Sequence, residues 1–208
     1  MSDQEGTVYL IDDDASVRDA LCLLLSLNGM RTQVFSSGES FLEAYTPDWR
    51  GCILSDLRMP GMSGLDLQAV LRLRQIPLPL VILTAHGDVA AVRQALKNGA
   101  LDFLEKPFEE DLLLQILSNA LRVDRERCIG EDERAAASDR LANLTARERE
   151  ILAPVAAGKQ NVEIAAQFGI SPRTVEVHKA RIMEKLGCRT LAELIQKIAD
   201  LVDISASP

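Results

Sequence analysis

Five side chains able to handle phosphate or a hard cation recur along the first half of the chain: Asp12, Asp13, Asp56, Thr84 and Lys106. Each stands at the downstream end of a short apolar run. Thr7 to Ile11 leads into the two aspartates, Cys52 to Ser55 into Asp56, Leu80 to Leu83 into Thr84, and Asp102 to Glu105 into Lys106-Pro107. Singly these are ordinary: Asp12-Asp13-Asp14 could be a solvated turn and helix cap, and a Lys-Pro after a strand is common. Their conjunction is not ordinary, because parallel strands deliver their carboxyl ends to one rim, where ligand groups collect. Three carboxylates gathered there repel one another and call for a cation, and an all-oxygen set that keeps several waters suits Mg²⁺. A carboxylate can also attack phosphorus. A metal ion and a lysine ammonium would offset charge on the transferred group, and the Thr84 hydroxyl could bond one of its oxygens.

The elements needed to position these groups are legible. Between the apolar runs lie segments of helical spacing: Ser16 to Leu27, Ser37 to Tyr45, Leu65 to Arg74, Val89 to Lys97 and Glu109 to about Arg122. Asn28-Gly29 and Asn98-Gly99 supply stops, and Thr32 to Phe35 is a further strand. Five strand–helix units in about 120 residues imply a parallel sheet covered by helices on both faces. The continuous apolar character of the strands agrees with burial on both faces.

From Leu144 the pattern is helical only. Thr145 with Glu148 forms a capping box for a helix to about Ala157, and Asn161 could cap a short helix to Phe168. Ser171-Pro172 opens a third helix to about Leu186, and Thr190 a last one to about Leu201, with Leu191, Leu194, Ile195, Ile198 and Leu201 on its apolar face. Residues 124–140, charged and Ala-rich around Gly130, are read as a linker, with an extension of the preceding helix as the alternative.

Composition narrows the function classes. Hydrophobic content of 47% and charged content of 26% fit a globular chain whose cores rest on Leu, Val, Ile and Ala, since aromatics are only 4%. No run of 18 apolar residues exists, so no membrane span is expected, and Met1 to Glu5 lacks the features of a signal peptide. A cytoplasmic location is therefore expected. Four cysteines without CxxC spacing read as reduced thiols, and two histidines argue against zinc. Neither a Walker A loop nor GxGxxG is present, so nucleotide binding is not indicated. The net charge of -8 is unevenly spread: residues 1–124 carry 10 Lys/Arg against 18 Asp/Glu, whereas 144–208 carry 9 against 8. Arg173, Lys179, Arg181, Lys185 and Arg189 form a local basic stripe.

The stretches Val8-Tyr9-Leu10-Ile11-Asp12-Asp13-Asp14, Ser55-Asp56-Leu57-Arg58-Met59-Pro60-Gly61-Met62-Ser63-Gly64, Thr84-Ala85 and Asp102-Phe103-Leu104-Glu105-Lys106-Pro107-Phe108 resemble response-regulator receiver domains. The block after Asp56 and the His86-Gly87-Asp88 loop resemble the FixJ branch. The resemblance implies a flavodoxin-like, five-stranded doubly wound sheet over residues 5–123, with Asp56 as phosphoacceptor. It further implies Mg²⁺ held by Asp12, Asp13, Asp56 and the Arg58 carbonyl, with Lys106 on the phosphoryl group and Thr84 and Phe103 as the switch pair. A sensor histidine kinase is the implied donor, and acetyl phosphate a substitute.

Leu144-Thr145-Ala146-Arg147-Glu148, Asn161-Val162-Glu163-Ile164-Ala165, Ile170-Ser171-Pro172-Arg173-Thr174-Val175-Glu176-Val177-His178-Lys179 and Lys185-Leu186-Gly187 resemble the LuxR-type helix-turn-helix, an all-α domain over residues 141–208. Pro154 is a mild departure within its helix. By that resemblance Glu176, Val177 and Ala180 face bases in double-stranded DNA, and the last helix serves dimerisation. Arg173 and Thr174 open the recognition helix, while Lys179, Arg181 and Lys185 are expected on phosphates. His178 is expected to be structural, with base contact as the lesser alternative. Together the halves predict a DNA-binding regulator rather than an enzyme, dimerising when Asp56 is phosphorylated, with RNA polymerase as a further candidate partner. Two other readings use the same residues: a DNA binder whose receiver is only a scaffold, and a stand-alone aspartyl-phosphate hydrolase. The complete acidic site opposes the first and the C-terminal module the second.

Overall fold

The computed structural model describes residues 6–85 and 89–196, so the His86-Gly87-Asp88 loop, Ile198 and Leu201 lie outside the described residues. The chain divides into two compact units, Met1–Cys128 and Ile129–Pro208.

The first unit alternates strand and helix as the apolar runs require: β1 (Thr7–Ile11), α1 (Ala15–Leu27), β2 (Arg31–Phe35), α2 (Gly38–Ala44), β3 (Gly51–Asp56), α3 (Gly64–Leu73), β4 (Leu80–Ala85), α4 (Val89–Lys97), β5 (Asp102–Lys106) and α5 (Glu110–Ala142). All pairings are parallel, in the order β2-β1-β3-β4-β5. Side chains alternate across the sheet and build two cores. Tyr9, Ile11, Ile53 and Ile82 join Phe41 of α2, Leu67 of α3 and Ala95 of α4. Val8, Leu10, Leu54, Val81, Leu83 and Leu104 join Leu21 and Leu25 of α1 and Leu113, Leu117 and Leu121 of α5. Helices α1 and α5 thus cover one face, and α2, α3 and α4 the other.

Two glycines permit close approaches that bear on the site. Gly51, at φ +135°, opens β3 where a Cβ would stand 1.9 Å from the Thr7 carbonyl oxygen. Gly64 opens α3 where a Cβ would stand 2.6 Å from the Asp56 carbonyl oxygen, so only glycine lets the helix seat against the end of β3.

The segment read as a linker is helical, continuous with α5 through its 33 residues. Its Ala, Arg and Glu content explains this, since those residues form helix without an apolar stripe, aided by pairs such as Arg122–Glu126 at 2.7 Å. Asp124, assigned to the first linker position, is buried, and its Oδ2 accepts the Gly51 backbone N–H at 2.7 Å.

The second unit contains α6 (Ala146–Ala156), α7 (Asn161–Phe168) and α8 (Pro172–Leu186), and residues 191–196 are also helical. Leu144, Ile151, Val155, Ile164, Val175, Ile182, Leu186 and Leu194 form its core. The Thr145/Glu148 capping box and the Ser171 cap form as expected, and Pro154 lies inside α6. The N-cap of α7 is Gln160, not Asn161.

Candidate functional site: an acidic phosphoacceptor rim and a DNA-reading helix

The strand order reverses between β1 and β3, and the crevice outside that point receives Asp12 from β1 and Asp56 from β3. Lys106, the last residue of β5, reaches both: its Nζ lies 2.5 Å from Asp56 Oδ1 and 2.9 Å from Asp12 Oδ2. The other carboxylate oxygens are held by backbone, Asp12 Oδ1 by Asp14 N–H at 2.9 Å and Asp56 Oδ2 by Arg58 N–H at 2.7 Å. The Arg18 guanidinium donates to the Asp12 carbonyl at 2.6 Å.

Asp12 is almost fully buried, at 1% exposure, whereas Asp56 retains access to solvent. Burial pulls the Lys106 pKa down, but the hydrogen bonds with Asp56 and Asp12 outweigh it, so the net direction is upward from the ordinary 10.5.

Thr84 is buried on β4, one residue short of the strand end, in register with Glu105. Phe103 pairs with Ile82 and packs against the same core. The two are therefore diagonal neighbours on one face of adjacent strands. The expected cluster of three carboxylates does not stand preformed. Asp13 is exposed, and among the described residues no group of three or more His, Cys, Asp or Glu side chains is arranged to hold a metal. The Lys106 ammonium joins Asp12 to Asp56.

In the second unit α8 buries Val175, Ile182 and Leu186 and exposes Arg173, Glu176, Val177, Ala180 and Arg181. Thr174 is half-buried and its hydroxyl lies 2.8 Å from that of Ser171 at the cap. Lys179 donates to Asn161 Oδ1 at 3.2 Å. Lys185 is already engaged, with its Nζ 2.7 Å from Glu148 Oε2 and 3.2 Å from the Asn143 carbonyl. That ammonium, with the Thr145 N–H, holds the buried Glu148 carboxyl at about 2, well below its ordinary 4.5. His178 Nδ1 is buried with no hydrogen-bond partner among the described residues.

Sequence reasoning missed three of these polar placements. Asp124 carried no signal beyond a charge in a charged segment. Arg147 donates to the Phe168 carbonyl at 2.9 Å, with its guanidinium 4.8 Å from the Phe168 ring centroid. Gln68 of α3, buried on an otherwise apolar stripe, donates to the Ala95 carbonyl at 2.8 Å.

A doubly wound sheet with paired aspartates and a lysine at its switch point, followed in sequence by a helix-turn-helix unit, defines a class: a phosphoacceptor module joined to a DNA reader. Comparisons agree with that class. Residues 8–118 match the response regulator receiver domain family, and residues 142–205 match the luxR family of bacterial regulatory proteins. The transcriptional regulatory protein FixJ of Bradyrhizobium diazoefficiens is 40% identical over 192 residues, covering 92% of this chain and 94% of that protein. The structure of the response regulator StyR superposes with a TM-score of 0.87 at 39% identity, covering 94% of this chain and 98% of that one. Full-length FixJ from B. japonicum gives 0.60 at 39% identity, covering 96% and 98%. The chain belongs to the response-regulator family, as a transcriptional regulator with a receiver domain and a LuxR-type DNA-binding domain. Among the described residues no helix is long and apolar enough to cross a membrane.

Proposed function

We propose that Asp56 accepts a phosphoryl group from a sensor histidine kinase, and that this drives dimerisation and sequence-specific binding to double-stranded DNA in the cytoplasm. The observation that carries the reading is the Lys106 ammonium bridging Asp56 and Asp12. Asp56 attacks phosphorus, an acyl phosphate O–P bond forms, and the P–N bond to the kinase imidazole breaks. Lys106 remains protonated and turns from its carboxylate partner to the phosphoryl oxygens. The oxygen-only donor set of Asp12 and Asp56, with Asp13 adjacent in the chain and the Arg58 carbonyl, suits Mg²⁺. Bound there, Mg²⁺ would neutralise charge on the transferred group.

Thr84 then bonds a phosphoryl oxygen, and Phe103 turns into the space it leaves. Their diagonal placement on adjacent strands supports this coupling. The coupled change reshapes the face of α4 and β5, where Leu96 of α4 is exposed, while a groove of about 760 Å³ between β5 and α5 is lined by Phe103, Phe108, Leu112 and Ile116. Pairing there would bring two reading helices to two half-sites, Glu176, Val177 and Ala180 on bases and Arg173, Thr174, Lys179 and Arg181 on the backbone. Lys185 reaches phosphate only by leaving Glu148. RNA polymerase would be the partner of the DNA-bound dimer.

Incubation with acetyl phosphate and Mg²⁺ is expected to give a hydroxylamine-sensitive adduct, a dimer by light scattering and tighter DNA binding. Asp56→Asn should lose all three. An Asp56→Asn protein that dimerises and binds DNA like the wild type under phosphodonor would sink the reading.

A further inference from the structure

Asn161 is the first residue of α7, yet its side chain does not cap that helix. Gln160 occupies the cap position, and its N–H is satisfied by Glu163 Oε2 at 2.8 Å. The Asn161 amide is thereby released from the helix terminus and crosses to α8. Its Oδ1 accepts from Lys179 Nζ at 3.2 Å, and its Nδ2 donates to Glu176 Oε1 at 3.4 Å. The direction of the amide is not free. An ammonium can only donate and a carboxylate can only accept, so the oxygen must face the lysine and the nitrogen the glutamate.

The electrostatic setting gives this bridge a consequence. Glu176 is exposed on the reading face of α8 beside Val177. A carboxylate brought to DNA meets phosphate repulsion, and in the major groove it can only accept from a base amino group, N4 of cytosine or N6 of adenine. Such a contact discriminates only if the carboxylate is aimed before it arrives, because an unrestrained glutamate rotates away from the phosphates. The Asn161 amide supplies the aim. Lys179 pulls on its oxygen, which polarises the NH₂ toward Glu176.

We propose that Asn161 is a specificity-determining positioning residue, holding Glu176 toward a base amino group of the DNA site. The proposal rests on the reading of α8 as the helix that meets bases.

The test is selection from a random-core double-stranded DNA library by the full-length protein under acetyl phosphate. Wild type would be run beside Glu176→Ala, Asn161→Ala and Asn161→Asp, followed by titration of single-base variants of the selected site. Asn161→Asp keeps the side-chain shape and an acceptor for Lys179, but it replaces the donor to Glu176 with an oxygen and adds a negative charge, so its position-specific effect is read against the neutral Asn161→Ala. At the position whose preference collapses in Glu176→Ala, both Asn161 variants are expected to relax the preference about three- to tenfold, the range for one hydrogen bond. Other positions should hold, and Asn161→Ala should add nothing to Glu176→Ala. Thermal melts are expected to show all variants folded. If Glu176→Ala changes the preference and neither Asn161 variant does, Asn161 has no positioning role. If Glu176→Ala itself leaves every preference intact, the base-reading assignment falls and the proposal with it. A uniform loss at all positions, or failure of both Asn161 variants to fold, would make Asn161 a structural residue and overturn the proposal.

Discussion

At neutral pH the Lys106 ammonium is fully charged beside two carboxylates, because its pairing with Asp56 and Asp12 outweighs the burial that would neutralise it. Removing it leaves Asp12, at 1% exposure, close to a second acid with no cation. Lys106→Met is therefore expected to lower stability by about 1–3 kcal/mol in chelator. Added Mg²⁺ should recover most of that loss, as read by thermal melts with and without the metal. Glu148 offers a second residue-scale test, with an unambiguous sign. Its folded value of about 2 lies below the ordinary 4.5, so its contribution is complete above about 4.5 and disappears as pH falls toward 2. Glu148→Gln should destabilise the second unit at pH 7 and flatten its melting temperature across that acid window. An unchanged acid profile would show that Lys185 is not bound to Glu148 in solution.

Among elements, α3 and α5 carry constraints that their own sequences do not advertise. Gly64 lets α3 begin against the Asp56 carbonyl, and a Cβ at 2.6 Å from backbone has no flexible neighbour to displace. Gly64→Ala is expected to slow phosphorylation from acetyl phosphate by about tenfold, with a smaller effect on folding, because a displacement of about 1 Å at a reacting group costs up to a hundredfold. For α5 the buried Asp124 carboxylate ties the helix to the first residue of β3, backed by Arg127 at 2.5 Å. Asp124→Ala strands the Gly51 N–H and should cost about 2–3 kcal/mol by chemical denaturation. Gln68 makes the opposite case: its Nε2 holds the Ala95 carbonyl, but its Oε1 is buried without a partner among the described residues. Gln68→Met should therefore be nearly neutral, within about 1 kcal/mol, since the lost hydrogen bond is offset by removal of a desolvated oxygen.

The whole molecule is two compact units on one chain, and the uneven charge follows that division. In the proposed function, the acidic balance of residues 1–124 would supply carboxylates for phosphoryl chemistry, while the near-neutral 144–208 would offer Arg173, Lys179 and Arg181 to a polyanion. A fragment of residues 1–128 retains Asp124 and Arg127, whereas one ending at 118, where the receiver-family match stops, loses both. The longer fragment is expected to melt several degrees higher, at about 3–6 °C per kcal/mol, since it also keeps the core residue Leu121. Both should form the acyl phosphate on Asp56. Equal melting points would place no stability in the Asp124 contact.

Local chemistry let the sequence alone determine the class of each half. Continuous apolar runs, period-3.6 patterning, Gly stops, the Thr145/Glu148 box and the Ser171-Pro172 start are short-range features, and the strands and helices they imply are present to within a residue or two, except at α5 and at the last helix, whose end lies outside the described residues. The convergence of Asp12, Asp56 and Lys106 was also legible, because a parallel sheet turns strand ends into one rim. Tertiary structure alone decided how polar atoms pair across distance. Lys106, not Asp13, joins Asp56 to Asp12, Asp124 locks onto Gly51, and Asn161 leaves its own helix end for Lys179 and Glu176. A hydrogen bond depends on a few tenths of an ångström and on direction, and neither is encoded in the spacing of residues 94, 73 or 15 positions apart.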